Sequence, residues 1–171
     1  MTVRYEDVVI RHLRLDDLEA IQALYARQTA SSDDALSALR VTPKQHAWEM
    51  YRLRQQWIAE QRYIAYVACA PGEEGEHWLG YGAATLEYQA HLFKVEAVAS
   101  LGELWVEPEY RRHGIGRALV SSILEAVTAH GISWVSVHLA GNAQEALPFF
   151  DKMQFRVGAT ELRLDLSVCA Q

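Results

Sequence analysis

Cysteine is scarce: Cys69 and Cys169 are the only two in 171 residues, and neither belongs to a metal-type spacing. That excludes a disulfide framework and leaves both as small buried hydrophobes in a reducing compartment. Long apolar runs are also missing. No stretch reaches the roughly 18 residues of a membrane-spanning helix, and the opening "MTVRYEDVVIRHLR" lacks a signal-peptide core, so a soluble, cytoplasmic protein with no membrane partner is expected. Net positive charge is absent as well. A formal charge of -6 argues against general nucleic-acid binding, which needs a broad basic surface to meet phosphates. There is no internal repeat, low-complexity tract or linker, so residues 1–171, 50% of them apolar, are expected to form a single domain around one core.

What is present is a clear order of elements. "VVIRHLRLDDLEAIQALYARQ" predicts a short strand, a capping acid at Asp16 or Asp17, and a helix whose Leu18, Ile21, Leu24 and Tyr25 share a face. "TPKQHAWEMYRLRQQWIAEQ" predicts a second helix, capped by Thr42 and opened by Pro43, with Ala47, Met50, Tyr51, Trp57 and Ile58 as its apolar stripe. Strands "YIAYVACA" and "WLGYGAATLEY" follow as a hairpin, with "PGEEGEH" as an exposed acidic tip. The form of Gln89 to Val98 is open. Then come a strand ending "GELWV", a helix with Ile115, Leu119, Ile123 and Val127 inward, a stop at Gly131, the strand "ISWVSVHL", the short helix "NAQEALPFFDKM" and closing strand material in "FRVGATELRLDLSV". A strand, a helix and a strand in that order need a crossover, the usual route to parallel neighbours.

Against the acidic background, "YRRHGIGRAL" at Tyr110 to Leu119 concentrates three arginines and a histidine around two glycines. It lies between a strand end and the first turn of a helix, where free N–H groups and the helix dipole favour an anion. Gly114 and Gly116 let an anion approach the backbone, and Arg111, Arg112 and Arg117 can add charge-assisted hydrogen bonds. A pyrophosphate is a natural guest. A dinucleotide fingerprint would place a third glycine where Leu119 stands, and a P-loop would end in Gly-Lys-Ser/Thr, which does not occur.

"LWVEPEYRRHGIGRALV" resembles the acetyl-CoA-binding segment of the GCN5-related N-acetyltransferases, whose Gln/Arg-x-x-Gly-x-Gly/Ala motif is filled by Arg111, Gly114 and Gly116. "NAQEALPFFDKMQF" resembles that family's later Asn-Ala segment, and the element order is similar across nearly the whole chain. The resemblance implies an α/β (α+β) fold: a mixed, mostly antiparallel twisted sheet splayed between two parallel strands, Ser100 to Val106 and Ile132 to Leu139, flanked by about four helices. It implies backbone pairing of Leu104, Trp105 and Val106 with the pantetheine arm of acetyl-CoA, and N–H groups from Arg112 through His113, Gly114, Ile115 and Gly116 to Arg117 around the pyrophosphate. Asn142 and Phe150 belong to the cofactor side by the same resemblance, and Lys152 can reach the nucleotide 3′-phosphate. No metal is implied.

Amine acetylation needs a base and a donor for the developing oxyanion. The resemblance offers the Val106 N–H as donor, and Glu103, one residue before the cofactor triplet, is the first candidate base or substrate anchor. Strand alternation, however, puts Glu103 on the face of Leu101 and Trp105, whereas relatives that carry a glutamate base here carry it at the parity of Ser100 or Gly102; a bulge would reverse the face. Glu87, with Tyr88, is the second choice. Glu107 and Glu109 flank Pro108 and read as solvated. Phe150 stands where many relatives have a Tyr that protonates the leaving thiolate, Asn142 falls one residue upstream of its usual place, and Gln154 replaces a common Gly. The expected activity is transfer of an acetyl group from acetyl-CoA to a primary amine of a small cationic molecule, such as a polyamine, an aminoglycoside or another amine, because the chain is acidic. A protein N-terminus or lysine, or a non-catalytic acyl-CoA sensor, are the alternatives, and a homodimer stays open as an assembly.

Overall fold

The computed structural model describes residues 5–31, 43–72, 75–88, 97–139 and 146–158. Strand β1 (Val9–His12) leads into helices α1 (Leu18–Ser31) and α2 (Pro43–Ala59), then strands β2 (Tyr63–Gly72), β3 (Gly75–Tyr88) and β4 (Ala97–Val106), helix α3 (Ile115–Ala129), strand β5 (Val135–Val137) and helix α4 (Leu147–Lys152). The five strands lie in sequence order, antiparallel except for the parallel pair β4–β5. This is the mixed sheet the resemblance implies.

Local chemistry explains the starts and stops. The Asp17 carboxylate accepts from the Arg14 amide at 2.6 Å and from the Arg11 guanidinium at 2.7 Å, so Asp17 rather than Asp16 ties down the entry to α1. Arg11 also pairs with Glu76 on β3 and lies over the Trp78 ring at 5.4 Å. Gly131 adopts φ +75, the left-handed turn that ends α3.

Two faces of the sheet are covered by different helices. On one, Val120, Ile123 and Val127 of α3 and Phe150 of α4 pack with Ile64, Ala84, Leu86 and Leu101. On the other, Ile21 and Leu24 of α1 pack with Val67 and Tyr81. The inward faces expected for α1 and α3 are therefore those observed.

Four expectations change. The supposed hairpin tip is mostly strand, because β2 and β3 stay paired out to Gly72 opposite Gly75. Strand β4 begins at Ala97 instead of Ser100, and β5 shrinks to Val135–Val137. Glu107 is buried, not solvated, and pairs with Arg27 of α1 at 2.6 Å. The Thr42 cap, the connection 89–96, Asn142, Cys169 and the closing strand beyond residue 158 lie outside the described residues.

Candidate acyl-transfer site

The site is organised by an irregularity in β4. Ala84 pairs with Leu101 and Ala83 with Glu103, so Gly102 is an extra residue with no partner of its own. Such a bulge changes the parity of everything beyond it. Leu101 packs under α3 and Leu104 does the same, while Trp105 packs against the α1 side. Glu103 thus shares a face with Trp105 but not with Leu101, correcting half of the expected alternation. In a regular strand Gly102 would stand opposite Ala83; the bulge hands that station to Glu103.

The same register decides which backbone groups are spoken for. Glu107 donates to the Leu79 carbonyl at 2.9 Å, which makes those two a hydrogen-bonded pair. Antiparallel pairs alternate, so Trp105–Tyr81 is also bonded, whereas Leu104–Gly82 and Val106–Gly80 point their amides away from β3. On that far side β5 pairs with β4 only from Ala99 to Leu101, and beyond it the two strands part. Leu104 and Val106 therefore present main-chain groups at an open edge among the described residues. Trp105 does not, because the ladder with β3 takes its N–H and C=O, so of the triplet expected to meet pantetheine the main-chain groups of Leu104 and Val106 are the ones at the edge.

Two glycines allow the strands to meet so closely. A Cβ on Gly80 would sit 2.5 Å from the Trp105 carbonyl oxygen, and one on Gly82 would sit 3.1 Å from Ile123 Cδ1. The first contact is with backbone, which cannot step aside.

At the tip of β4 the chain turns through Pro108–Tyr110 into the arginine-glycine loop. Arg112 has φ +66 and Gly114 has φ +86, two left-handed residues just before the first turn of α3. A Cβ on Gly114 would meet nothing within 4 Å, so the space above the helix N-terminus is open. An anionic group fits there. Arg111 is turned elsewhere: its Nε donates to the Val106 carbonyl at 2.9 Å and its guanidinium covers the Trp105 ring at 4.7 Å. It pins the loop to the strand. Arg112 and Arg117 are exposed, His113 stacks on Tyr5 with centroids 3.8 Å apart, and the Ile115 side chain is buried in the core, leaving only its amide for a ligand.

Phe150 is not at this edge. It is 5% exposed and packs edge-on against Phe149 and Phe155 inside the core, on the buried side of the place the resemblance gives it beside the cofactor. The ring at the edge is Phe149, within 3.8 Å of a Cβ built on Gly116, as is Val106. The one-residue offset of Asn142 agrees with that shift. Lys152 is exposed at the end of α4.

Across the sheet from α3, Tyr25, Trp57, Tyr63, Ala83, Thr85, Gly102 and Glu103 line a cleft of about 220 Å³. Glu103 is held there by a residue the sequence reading passed over. Arg54 of α2, 1% exposed, donates from Nη2 to Glu103 Oε2 at 2.7 Å and from Nε to the Tyr63 hydroxyl at 3.2 Å; Tyr63 in turn donates to Oε2 at 3.2 Å. Burial pushes the Tyr63 hydroxyl well above its usual range, and the neighbouring Glu103 carboxylate pushes it further, so it stays a donor. Burial also disfavours the Arg54 charge, but Glu103 outweighs it and the guanidinium ends above its ordinary value. Both described hydrogen bonds fall on Oε2. Glu87, the second carboxylate considered, is exposed near the end of β3 and is not part of this lining.

Comparison with known proteins agrees with this geometry. The Acetyltransferase (GNAT) family model matches residues 20–155. Over 86 residues the chain is 31% identical to a glucosamine 6-phosphate N-acetyltransferase of Trypanosoma brucei brucei, covering 50% of this chain and 56% of that protein. The chain spans between 56% and 59% of the length of the curated relatives it matches. Among solved structures, a predicted acetyltransferase with acetyl-CoA from Clostridium acetobutylicum superposes with a TM-score of 0.71 at 13% identity, covering 96% of this chain and 99% of that one. A GCN5-related N-acetyltransferase from Ralstonia eutropha gives 0.72 at 18% identity, covering 93% and 99%. With the splayed strands, the loop before α3 and a family match over most of the sequence, the chain belongs to the GNAT acetyltransferase family.

Proposed function

We propose that the protein is an acetyl-CoA-dependent N-acetyltransferase whose acceptor is a primary amine. One observation carries the reading: β4 parts from β5 immediately beside Glu103, so an open main-chain edge and a carboxylate-lined cleft meet at one strand. Leu104 and Val106 pair with the amide-rich pantetheine arm as a further strand would. The N–H groups from Arg112 to Arg117 hold the pyrophosphate, supported by the side chains of Arg112 and Arg117, and the exposed Lys152 at the end of α4 is the further cation offered to the nucleotide end.

The amine enters from the side of α1 and α2. The Glu103 carboxylate takes one proton from the ammonium, directly or through one water, and the freed lone pair attacks the thioester carbon. Negative charge moves to the thioester oxygen, where the Val106 N–H donates; a donor of this kind is worth ~2.7 to 4 kcal/mol in acyl transfer. The attacking nitrogen gives its surplus proton to water, and the C–S bond then breaks as the carbonyl re-forms. Neither Phe149 nor Phe150 can donate a proton, so the thiolate is protonated by solvent, which a thiol of pKa about 8.5 tolerates. The products are an acetamide and the free thiol of CoA.

Release of that thiol from acetyl-CoA in the presence of an amine panel tests the reading. Tight CoA binding without amine-dependent release would favour the second reading, an acyl-CoA sensor, for which the two phenylalanines speak.

A further inference from the structure

We infer that the cleft takes a compact monoamine with an apolar or aromatic body, and not a polyamine or an aminoglycoside. The inference rests on the proposed amine acetyltransferase activity. Its first ground is charge. Glu103 is the one carboxylate in the described lining, and its charge is already balanced by Arg54 at 2.7 Å. An acceptor with a second or third ammonium would find no further carboxylate among the described lining residues to meet those charges, and a desolvated, unpaired charge is heavily penalised. Glu87 is exposed to water, where an ion pair contributes little.

The second ground is the wall. Tyr25, Trp57 and Tyr63 present three aromatic rings to the space, and Trp57 and Tyr63 lie 5.8 Å apart. Rings of this kind bury an apolar body well and favour a single cation over their faces. The opposing positions are small, Ala83 and Gly102, and the polar groups of the lining are Thr85, Glu103 and the polar tips of the three aromatic residues, with the Tyr63 hydroxyl already engaged by Arg54 and Glu103. The third ground is size. About 220 Å³ is below the roughly 300 Å³ at which drug-sized sites begin, which suits one ring on a short chain better than a multi-ring sugar.

The test compares phenethylamine, ethylamine, spermidine and kanamycin on the full chain by thiol release from acetyl-CoA, and in parallel by calorimetric binding to CoA-saturated protein. Phenethylamine is expected to exceed spermidine and kanamycin by at least about tenfold in kcat/KM and in affinity. Trp57→Ala is expected to lower phenethylamine by about 10- to 100-fold and ethylamine far less. Gly102→Val is an independent probe: a Cβ there meets nothing within 4 Å, so it folds and narrows the cleft, raising KM for phenethylamine selectively. Spermidine or kanamycin as the better substrate, or equal losses for both monoamines in both variants, would overturn the inference while leaving the transferase standing. If no amine releases thiol, the transferase reading falls, and the binding comparison decides the cleft alone: phenethylamine tighter than spermidine upholds it, and the reverse overturns it.

Discussion

Arg54 and Glu103 stand 49 residues apart in sequence and 2.7 Å apart in space, with the guanidinium side chain 1% exposed. A buried pair of this kind is costly to break from one side. Removing Arg54 strands a carboxylate between two helices and a strand, and such changes cost about 3–5 kcal/mol. Arg54→Met should therefore lower the melting temperature by many degrees, whereas Arg54→Met with Glu103→Leu should recover much of the loss and none of the activity. Thermal unfolding of the parent, of Arg54→Met, of Glu103→Leu and of the double variant checks the coupling; additive losses would show that the pair is not a unit.

Glu103→Gln keeps the size and an acceptor for Arg54 but removes the base. We expect kcat to fall about 10²- to 10⁴-fold with KM little changed. Steady-state kinetics on the best amine, with CoA affinity as a control, decide this. An unaltered kcat would make Glu103 an anchor for the amine and nothing more.

The open edge makes an asymmetric pair of proline variants informative. Val106→Pro deletes an amide that faces away from β3, so it should fold yet lose about 10²- to 10³-fold in kcat. Trp105→Pro deletes a ladder donor and should unfold or melt far earlier. Equal stability losses would refute the assigned alternation.

Stability should fall in acid through Asp17. Burial raises its carboxyl, but hydrogen bonds from Arg11 and from the Arg14 amide outweigh that and hold it below the ordinary carboxylate value. A depressed folded pKa gives stability that is present above the unfolded value of about 3.9 and lost as pH drops through the folded one. Asp17→Asn should therefore flatten the stability profile below about pH 4 and leave it parallel to the parent above pH 6. Denaturant titrations across that range would show it.

Gly80→Ala places a Cβ 2.5 Å from a backbone oxygen at Trp105. Overpacking of this sort costs about 1–3 kcal/mol, and because the obstructed strand carries Val106 it should also slow turnover. Hydrogen exchange at β4 would report whether the strand tip has moved.

Much of this was legible in the residues. The glycine loop, the inward faces of α1 and α3 and the parallel crossover all follow from local patterns: positive φ at Gly114 and Gly131, and apolar spacing along each helix. The bulge was legible only as the alternative that would reverse the Glu103 face, because Leu101-Gly102-Glu103-Leu104 does not mark the surplus residue and only pairing with Ala83 and Ala84 reveals it. Arg54 did leave a trace. It falls at helical spacing between Tyr51 and Ile58, a charge inside an apolar stripe, and a buried charge asks for a partner. What the spacing does not disclose is which of the acids elsewhere answers it. Phe149 and Phe150 show the same limit: adjacent, chemically identical, and sorted into edge and core by helix phase alone.

The surplus residue at position 102 has a consequence for how such a site can change over time. Upstream of it the strand keeps its frame for the packing under α3, and downstream it carries Glu103 to the cleft and the amides of Leu104 and Val106 to the edge. Side-chain direction and amide direction share one parity, so gain or loss of one residue there re-addresses both together. In this strand, the length of a segment governs which chemical group faces the cleft, and substitution only chooses what that group is.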